Sequence, residues 1–326
     1  MRIVTRADFD GLVCASIITL MEEIDSFFFV EPKFMQDGMV EIRPGDIIAN
    51  LPYHPNCTLW FDHHITNKAP GFTENSLIPG RGAFRLAPSA ARVVYEYYTA
   101  EGNKQKAPPE ADQPPAEMRN RKIEDGLKVL GSERMKFLLA ETDKVDAALL
   151  SPEEVLHPQG YVLISMTIDG VRLQDEPYWL RLIELLRDAP VDEIMKEPEV
   201  KRRCQRILDS QERLKEILLQ RTTLRGNVIF TDLRGIKNVP DGNRFLIYTL
   251  FPKGNISMKI TNDSQRPNTT AISVGYNIFN STSKVNVGAL LKRFGGGGHR
   301  VVGSCRVPDS EAEKAIAQIF EAIKED

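Results

Sequence analysis

Long apolar runs and paired cysteines are both missing from this 326-residue sequence. No apolar stretch approaches the roughly 20 residues that a membrane-spanning helix needs, so we expect no membrane association. The four cysteines are scattered without a CxxC pair, which argues against a disulfide framework or a zinc knuckle. No signal-peptide pattern precedes the first predicted strand. These absences predict a cytoplasmic protein with reduced thiols.

An excess of charge of one sign is missing as well. The formal net charge is -3, so no global field would attract the chain to nucleic acid or to acidic lipid. A local basic groove is compatible with this balance, because net charge says nothing about where the charges lie. With 42% hydrophobic and 27% charged residues, the composition is that of a globular protein, and the length suffices for two cores of ordinary domain size.

The amino-terminal part of the sequence alternates strand-like and helix-like segments. Short apolar runs predict strands at 2–5, 27–30, 46–50 and 57–61. Helical spacing predicts helices at 12–21, 88–97 and 123–139, the second capped by Ser89. This alternation predicts an α/β fold with a mostly parallel sheet, in which ligands bind beyond the carboxyl ends of the strands. Residues 101–115 are polar and proline-rich and predict an exposed insertion.

The carboxyl-terminal part follows a different pattern. Apolar residues recur at helical spacing between Val200 and Leu218, which predicts a long amphipathic helix connecting two domains. The strands predicted after it are 228–231, 245–250, 256–260, 270–276 and 301–307. The predicted helices are 286–294 and 309–323. This part therefore predicts a second, smaller α/β domain.

The most distinctive polar cluster ends the fourth predicted strand. There Asp62, His63 and His64 follow the apolar pair Leu59-Trp60. Burying these three side chains together costs free energy unless their charges and hydrogen bonds are satisfied, and a bound cation does so. A solvated turn is the alternative for this cluster, and the apolar residues before it argue against that alternative.

Further candidate ligands follow other predicted elements. They are Asp8 and Asp10 after the first strand, Asn50 after the third strand, and Asp143 and Asp146 in an acidic turn at 141–146. Side chains at the carboxyl ends of neighbouring parallel strands can converge. Several carboxylates with imidazoles are the ligand set of metal-assisted phosphoryl chemistry. Helix capping is the alternative role for Asp8 and Asp10, and the spacing does not choose between Asp143 and Asp146.

A run of glycines, Gly295-Gly296-Gly297-Gly298, closes on His299 near the other end of the sequence. Backbone N–H groups without neighbouring Cβ atoms can approach a phosphate closely, and His299 can donate a hydrogen bond or a proton. A flexible linker is the alternative for this run. A metal site in one domain and a phosphate-binding loop in the other predict a cleft that closes on a phosphate ester.

Together these motifs resemble the DHH superfamily of phosphoesterases that carry a carboxyl-terminal DHHA1 domain. The resemblance rests on Asp8-Phe9-Asp10-Gly11, Asp62-His63-His64 and the glycine run, and it covers most of the chain. The sequence looks most similar to bacterial proteins described as exopolyphosphatase-related. The family includes RecJ-like exonucleases, oligoribonucleases, cyclic-dinucleotide phosphodiesterases and inorganic pyrophosphatases, which usually use manganese.

The resemblance implies a metal-bearing DHH domain over 1–195, a connector helix over 196–224 and a DHHA1 substrate-binding domain over 225–326. It implies one or two Mn²⁺ or Mg²⁺ ions, with ligands drawn from Asp8, Asp10, Asn50, Asp62, His63, His64 and one of Asp143 or Asp146. It implies catalytic roles for Asp62, His63 and His299, and phosphate binding by Arg6, Gly295, Gly296, Gly297, Gly298 and His299. The expected substrate is a short oligonucleotide, a cyclic dinucleotide or polyphosphate. The oligomeric state stays open, with a homodimer as one alternative.

The sequence departs from the family pattern at two positions. The family's first motif begins with a histidine two residues before the first aspartate, and Arg6 stands there. The family's second motif is an aspartate that commonly bridges both metals, and its best match is Asn50. A guanidinium has no lone pair to offer a metal, and an amide oxygen is a neutral donor. The alternative function is therefore a phosphate-binding or nucleotide-binding protein that has lost turnover.

Overall fold

The computed structural model describes residues 1–67, 71–73, 75–78, 81–100, 116–263 and 265–324. The chain forms two compact units, one built from Met1–Leu149 and Gln159–Cys204 and the other from Leu150–Pro158 and Gln205–Asp326. Each unit contains a six-stranded sheet among its described residues, and helices accompany both sheets. The predicted α/β class is therefore confirmed. The predicted insertion at 101–115 lies outside the described residues.

The elements are numbered here in chain order. The strands are β1 Arg2–Thr5, β2 Ser26–Phe29, β3 Asp46–Ala49, β4 Leu59–Asp62, β5 Asn75–Ile78, β6 Gly82–Arg85, β7 Thr222–Arg225, β8 Val228–Asp232, β9 Ile256–Asn262, β10 Thr269–Tyr276, β11 Gly297–Gly298 and β12 Val302–Pro308. The helices are α1 Phe9–Met21, α2 Pro32–Gln36, α3 Ala90–Thr99, α4 Ala116–Leu130, α5 Glu133–Asp146, α6 Pro152–Leu156, α7 Gly160–Ser165, α8 Glu176–Asp188, α9 Val191–Ile194, α10 Pro198–Arg221, α11 Leu246–Leu250, α12 Val287–Lys292 and α13 Asp309–Ile323. Single 3₁₀ turns occur at Ile65–Asn67 and Leu173–Asp175.

The sheet of the first unit has the strand order β2-β1-β3-β4-β6-β5. All neighbouring strands in it run parallel except β5 and β6, so the prediction of a mostly parallel sheet is confirmed. Every residue of β3 and β4 is buried, as expected for parallel strands with both faces covered. The carboxyl ends of β1, β3 and β4 are adjacent, because Thr5 pairs with Ala49 and Ala49 pairs with Phe61.

Helix α1 is buried on nearly every side and packs against α3, α4 and α8. Such a position requires a helix that is apolar all round, and the sequence from Phe9 to Met21 has this character. Asp8 caps the helix by accepting a hydrogen bond from the Gly11 backbone N–H. The predicted start at residue 12 is three residues late. Asp10 consequently lies in the first turn of α1 and is carried into the interior.

Three other predictions of secondary structure were wrong. One helix predicted at 123–139 is two helices, because the Ser132 side chain caps a new helix by accepting from the Met135 N–H. The predicted acidic turn at 141–146 is the last part of α5. The predicted strand at 245–250 is largely the short helix α11. Periodicity cannot distinguish a strand from a helix in so short an apolar run.

The sheet of the second unit has the order β11-β12-β10-β9-β8-β7. Its strands are antiparallel except for the parallel pair of β8 and β9. Alternate residues of the central strands, such as Met258, Ile272 and Cys305, join α12 and α13 in one apolar core. The residues between them project from the opposite face, since side chains alternate along a strand.

Among the helices that the structure describes, none combines the length and the apolarity that a bilayer crossing requires. The long amphipathic helix predicted around 200–218 is confirmed as α10. The division between the two units falls within this helix, after Cys204.

Candidate metal centre

Asp8 lies at the carboxyl end of β1 and is held by three donors. Its Oδ1 accepts hydrogen bonds from the Gly11 backbone N–H at 2.9 Å and from Asn50 Nδ2 at 3.1 Å. Its Oδ2 lies 3.1 Å from Arg6 Nη1 in an ion pair. Both oxygens of Asp8 therefore already have donors within the protein, although a carboxylate oxygen can accept from more than one donor.

Asp10 is buried and is held by the first turn of α3. Its Oδ2 accepts from the Ala90 N–H and its Oδ1 from the Ala91 N–H, each at 2.8 Å. Helix amino termini favour anions, because their first N–H groups have no partner within the helix. Burial nevertheless raises the pKa of Asp10 well above its usual range, and the charges of Asp146 and Asp8 raise it further. Ser89 caps α3, as predicted from the sequence, and the N–H groups that follow this cap are the ones that bind Asp10.

His63 and Asp146 complete a group with Asp10. His63 Nε2 lies 3.4 Å from Asp146 Oδ2 and 3.9 Å from Asp10 Oδ2. His63 Nδ1 lies 2.9 Å from the Ala87 carbonyl oxygen. Since a carbonyl oxygen only accepts, Nδ1 carries the proton of this contact, and Nε2 is the ring atom aimed at two carboxylates. Ligand atoms of these three residues all lie within 4.8 Å of one another.

These three residues fit a divalent cation. His63 Nε2 is buried and has no hydrogen-bond partner among the described residues. One nitrogen and two carboxylate oxygens converge here, and they are the ligand types that coordinate a divalent cation. The proton on Nδ1, held by a backbone carbonyl, fixes the ring in the orientation that metal-binding histidines adopt.

Asp62 and His64 lie beside this group. Asp62 is fully buried, and its Oδ1 accepts from the backbone N–H groups of His63 and His64. The same oxygen lies 2.8 Å from His64 Nδ1, while Oδ2 accepts from Asn67 Nδ2 at 2.8 Å. The hydrogen bond with Asp62 raises the pKa of the half-exposed His64 ring. Asp62, His63 and His64 also have ligand atoms within 4.8 Å of one another.

Asp143 has different partners from Asp146. It forms an ion pair with Arg92, whose Nε lies 2.9 Å from Asp143 Oδ2, and it accepts from Ser89 Oγ at 2.6 Å. Asp143 belongs to neither group of clustered ligand atoms among the described residues. The geometry thus places Asp146 with the candidate ligands and Asp143 beside the cap of α3, a choice that the spacing left open.

Asn50 follows β3 in a left-handed backbone conformation, with φ at +57°. Asparagine is among the few residues other than glycine that adopt this region readily. Its Nδ2 donates to the Asp8 carboxylate, which fixes the orientation of the amide. Its Oδ1 is buried and has no hydrogen-bond partner among the described residues. Asn50 therefore offers a free oxygen acceptor beside Asp8.

Arg6 lies between two carboxylates. Its Nη1 pairs with Asp8, and its Nε lies 3.5 Å from Glu31 Oε2. The side chain as a whole is 43% exposed, although its Nε is buried. Arg6 thus provides a fixed positive charge next to Asp8. Sequence patterns did not identify Glu31, Asn67 or Arg92, which orient these groups, because no local signal pairs residues that are distant along the chain.

The glycine run lies in the second unit. Gly297 and Gly298 form β11, which pairs with Ser304 and Gly303 of β12. His299 is exposed at the turn between these strands, where its backbone N–H donates to the Val302 carbonyl oxygen at 2.8 Å. The run is therefore part of a hairpin and not an extended linker. Its predicted role in binding phosphate stays a prediction.

The whole chain is similar to a solved structure, the pGpG-specific phosphodiesterase PggH from Vibrio cholerae. The two are 32% identical, the similarity covers 99% of this chain and 98% of PggH, and the TM-score is 0.77. The chain belongs to the DHH superfamily of phosphoesterases. No protein-family model and no curated protein matches the sequence.

More distant members of the superfamily share the fold. An exopolyphosphatase-related protein from Bacteroides fragilis has a TM-score of 0.53 at 12% identity, with 98% of this chain and 91% of that chain covered. RecJ from Thermus thermophilus, solved with Mn²⁺, has a TM-score of 0.52 at 15% identity. That similarity covers 98% of this chain and 51% of RecJ. The predicted family is confirmed.

Proposed function

We propose that this protein is a metal-dependent phosphodiesterase that hydrolyses short linear dinucleotides. The observation that carries the proposal is the buried His63 Nε2, which faces Asp10 and Asp146 without a hydrogen-bond partner among the described residues. Such a group has little structural value by itself, because buried polar atoms without partners cost free energy. A cation bound there would be coordinated by His63 Nε2.

Asp10, His63 and Asp146 would hold the cation, and Asn50 Oδ1 is a further candidate ligand. A bound Mn²⁺ or Mg²⁺ ion would polarise the phosphate and lower the pKa of the attacking water. The protein holds this site in place before substrate arrives, because the α3 amino terminus fixes Asp10 and the Ala87 carbonyl fixes the His63 ring. Asp62 orients the backbone that carries both histidines.

Arg6 supports a phosphoester substrate in a different way. Its guanidinium forms an ion pair with Asp8 and lies near Glu31, and the side chain as a whole is 43% exposed. A planar guanidinium binds phosphate oxygens through two parallel hydrogen bonds. We propose that Arg6 contacts the substrate phosphate and neutralises charge that a second cation would otherwise neutralise. This role makes one tightly bound ion per chain the expected stoichiometry.

The substrate class rests on the similarity to PggH, which spans both units. We therefore place pGpG first among the substrates to be tested, ahead of cyclic dinucleotides and polyphosphate. Substrate preference is measured by hydrolysis of each compound at equal concentration with Mn²⁺ present, and chelation is expected to abolish all turnover.

The two neighbouring aspartates of α5 provide a matched test. Asp146→Asn is expected to lower kcat/KM at least about 100-fold and to weaken Mn²⁺ binding, because it removes a charged ligand. Asp143→Asn is expected to reduce activity less than about tenfold, since Asp143 pairs with Arg92 and Ser89. Isothermal titration with Mn²⁺ gives the affinity independently of turnover. Equal losses in the two variants would contradict the assignment of Asp146.

A binding protein without turnover is the second candidate, and the Arg6–Asp8 ion pair favours it. The ion pair with Arg6 makes the Asp8 carboxylate less available as a metal ligand, and this weakens the case for two-metal chemistry. Tight binding of pGpG with no hydrolysis across a Mn²⁺ titration would establish this candidate. Any turnover that a chelator abolishes would exclude it.

A further inference from the structure

Arg92 belongs to the first turn of α3 and lies beside the candidate metal centre. Its neighbour in the chain, Ala91, donates its backbone N–H to Asp10. The Arg92 guanidinium reaches across to α5, where Nε donates to Asp143 Oδ2 at 2.9 Å and Nη2 donates to the same oxygen. Asp143 precedes Asp146 by three residues, so these two aspartates lie on one face of α5. Arg92 is therefore held close to the candidate ligands Asp10 and Asp146.

The Asp143 carboxylate holds the Arg92 guanidinium by one edge. Its Oδ2 accepts from Nε and Nη2, while its Oδ1 accepts from Ser89 Oγ at 2.6 Å. The Asp143 side chain is only 14% exposed, and that of Arg92 is 29% exposed. A guanidinium that donates through two nitrogens to a nearly buried carboxylate has little freedom to rotate. Such a group loses less conformational entropy when a ligand binds to it.

The opposite edge of the Arg92 guanidinium is free. Among the described residues, Nη1 donates no hydrogen bond, and it is not one of the buried polar atoms that lack a partner. Nη1 is therefore accessible to solvent. An arginine carries five N–H groups in a planar fork, and Asp143 accepts from two of them. The edge formed by Nη1 and Nη2 keeps two parallel N–H groups, which is the geometry that binds two oxygens of one phosphate.

Arg6 and Arg92 belong to different parts of the site. Arg6 follows β1, whereas Arg92 lies in the helix that follows β6, and β3 and β4 separate these two strands in the sheet. Arg6 pairs with Asp8, and Arg92 lies next to the N–H groups that hold Asp10. A linear dinucleotide with a 5′-phosphate carries two phosphate groups. Two arginines at separate positions can therefore contact one phosphate each.

We propose that Arg92 is a specificity-determining residue that binds a phosphate group of the substrate beside the metal centre. Its Nη1 and Nη2 donate parallel hydrogen bonds to phosphate oxygens, and Asp143 is the positioning residue that orients them. The nature of the molecule that carries the phosphate rests on the proposed function. The phosphate is either the terminal 5′ group of the dinucleotide or the diester between its nucleosides, since both offer the same oxygens.

Binding is measured without turnover by titrating the full-length protein, in a chelator, with pGpG and with GpG, which lacks the 5′-phosphate. Arg92→Gln is expected to weaken pGpG binding at least about tenfold, because two charge-assisted hydrogen bonds are lost. Asp143→Asn keeps the arginine and is expected to weaken binding less than about threefold. Arg181→Gln is the control that should leave binding unchanged, since Arg181 is an exposed arginine of α8 that pairs with Glu184.

A purely structural role for the pair of Arg92 and Asp143 predicts a different pattern. Either single variant would then weaken pGpG binding equally, and Arg92→Gln would also lower the Mn²⁺ affinity by displacing Asp10 or Asp146. The double variant Arg92→Gln/Asp143→Asn leaves no unpaired charge at this position. It is expected to fold, to keep the Mn²⁺ affinity of Asp143→Asn and to lose as much pGpG binding as Arg92→Gln alone. Circular dichroism checks folding, and titration calorimetry measures Mn²⁺ binding.

The two ligands identify the phosphate that Arg92 binds. A loss for pGpG alone indicates the terminal phosphate, and equal losses for pGpG and GpG indicate the diester. Unchanged binding in Arg92→Gln, or equal losses in Arg92→Gln and Asp143→Asn, would overturn the proposal. An absence of measurable binding by the chelated wild-type protein would also overturn it, since the proposed contact does not involve the metal.

Hydrolysis of pGpG with Mn²⁺, measured separately, tests the proposed function. Binding that depends on Arg92 without any hydrolysis would overturn that function and leave the role of Arg92 intact. Hydrolysis with a KM that Arg92→Gln leaves unchanged would do the reverse.

Discussion

Asn50 combines a left-handed backbone with a buried amide, and each feature constrains the side chain separately. The amide donates to Asp8, and the φ of +57° disfavours residues that carry an ordinary Cβ. Strained or left-handed residues of this kind cluster at functional sites. Asparagine therefore has two roles at position 50. Its side chain supports Asp8, and its backbone allows the chain to turn after β3.

Two substitutions separate the hydrogen bond to Asp8 from the backbone conformation. Asn50→Gly loses the hydrogen bond to Asp8, and Asn50→Ala loses it and also strains the backbone. We expect Asn50→Ala to be less stable than Asn50→Gly by about 1 kcal/mol. Urea unfolding followed by tryptophan fluorescence measures the difference, because Trp60 and Trp179 both lie in the first unit. Equal stabilities would show that the turn imposes no strain.

Glu22 gives the first unit a specific dependence on pH. Burial raises the pKa of its carboxyl above the ordinary value of 4.5, although Tyr98 donates a hydrogen bond to it at 3.0 Å. The folded state thus binds this proton more tightly than the unfolded state. The contribution of Glu22 to stability is fully present below the unfolded-state pKa and is lost as the pH rises through the folded-state pKa.

The variant Glu22→Gln removes this titration. We expect its stability relative to the wild type to increase as the pH is raised from 4.5 to 7, since only the wild type must then bury a charge. Urea unfolding at several pH values, followed by tryptophan fluorescence, provides the comparison. Glu23→Gln is the control, because the Glu23 side chain is exposed and pairs with Lys122. A constant difference between Glu22→Gln and wild type would contradict the expectation.

At the scale of residues, the sequence identifies the chemistry better than the geometry. The motifs predicted that Asp10 and His63 belong to one site, and the structure brings them together with Asp146. The sequence could not choose Asp146 over Asp143, because the choice depends on Arg92, about 50 residues away. It left open whether Arg6 contacts Asp8 or a phosphate, since local spacing does not fix where a long side chain points.

At the scale of elements, the amino terminus of α3 links the fold to the site. Ser89 accepts from the Arg92 N–H and donates to Asp143, while the next two N–H groups hold Asp10. One cap therefore orders two carboxylates. The sequence predicted this cap, because a serine before an apolar periodic segment is a strong local signal. It gave no sign that the N–H groups behind the cap would bind Asp10.

Removal of this cap is expected to affect both stability and metal binding. Ser89→Ala should lower the free energy of unfolding by roughly 1–2 kcal/mol and weaken Mn²⁺ binding about tenfold, because Asp10 loses its fixed position. Ser132→Ala, which removes the cap of α5, should cost about 1 kcal/mol and leave the Mn²⁺ affinity unchanged. Urea unfolding and titration calorimetry measure the two effects. Unchanged Mn²⁺ affinity in Ser89→Ala would show that Asp10 does not depend on the cap.

At the scale of the whole molecule, the sequence predicted two α/β sheets with different strand patterns. Helix α10 and the mostly parallel sheet are confirmed, because long periodic segments and βαβ alternation are strong signals. The short strands β5, β6, β7 and β11 were missed, since segments of two to four residues carry little periodic signal and are held by their partners. The corrections therefore fall on the elements that depend most on tertiary contacts.

The bond between Asp10 and the backbone of α3 also sets an order of events during synthesis. Asp10 emerges 80 residues before the Ala90 N–H that holds it, and Asp146 emerges later still. Domains generally fold as units while the chain is made from its amino terminus. The ligand set therefore assembles only after α5 has left the ribosome. The proposed cation is therefore expected to bind only after the first unit has folded, because Asp146 joins Asp10 and His63 last.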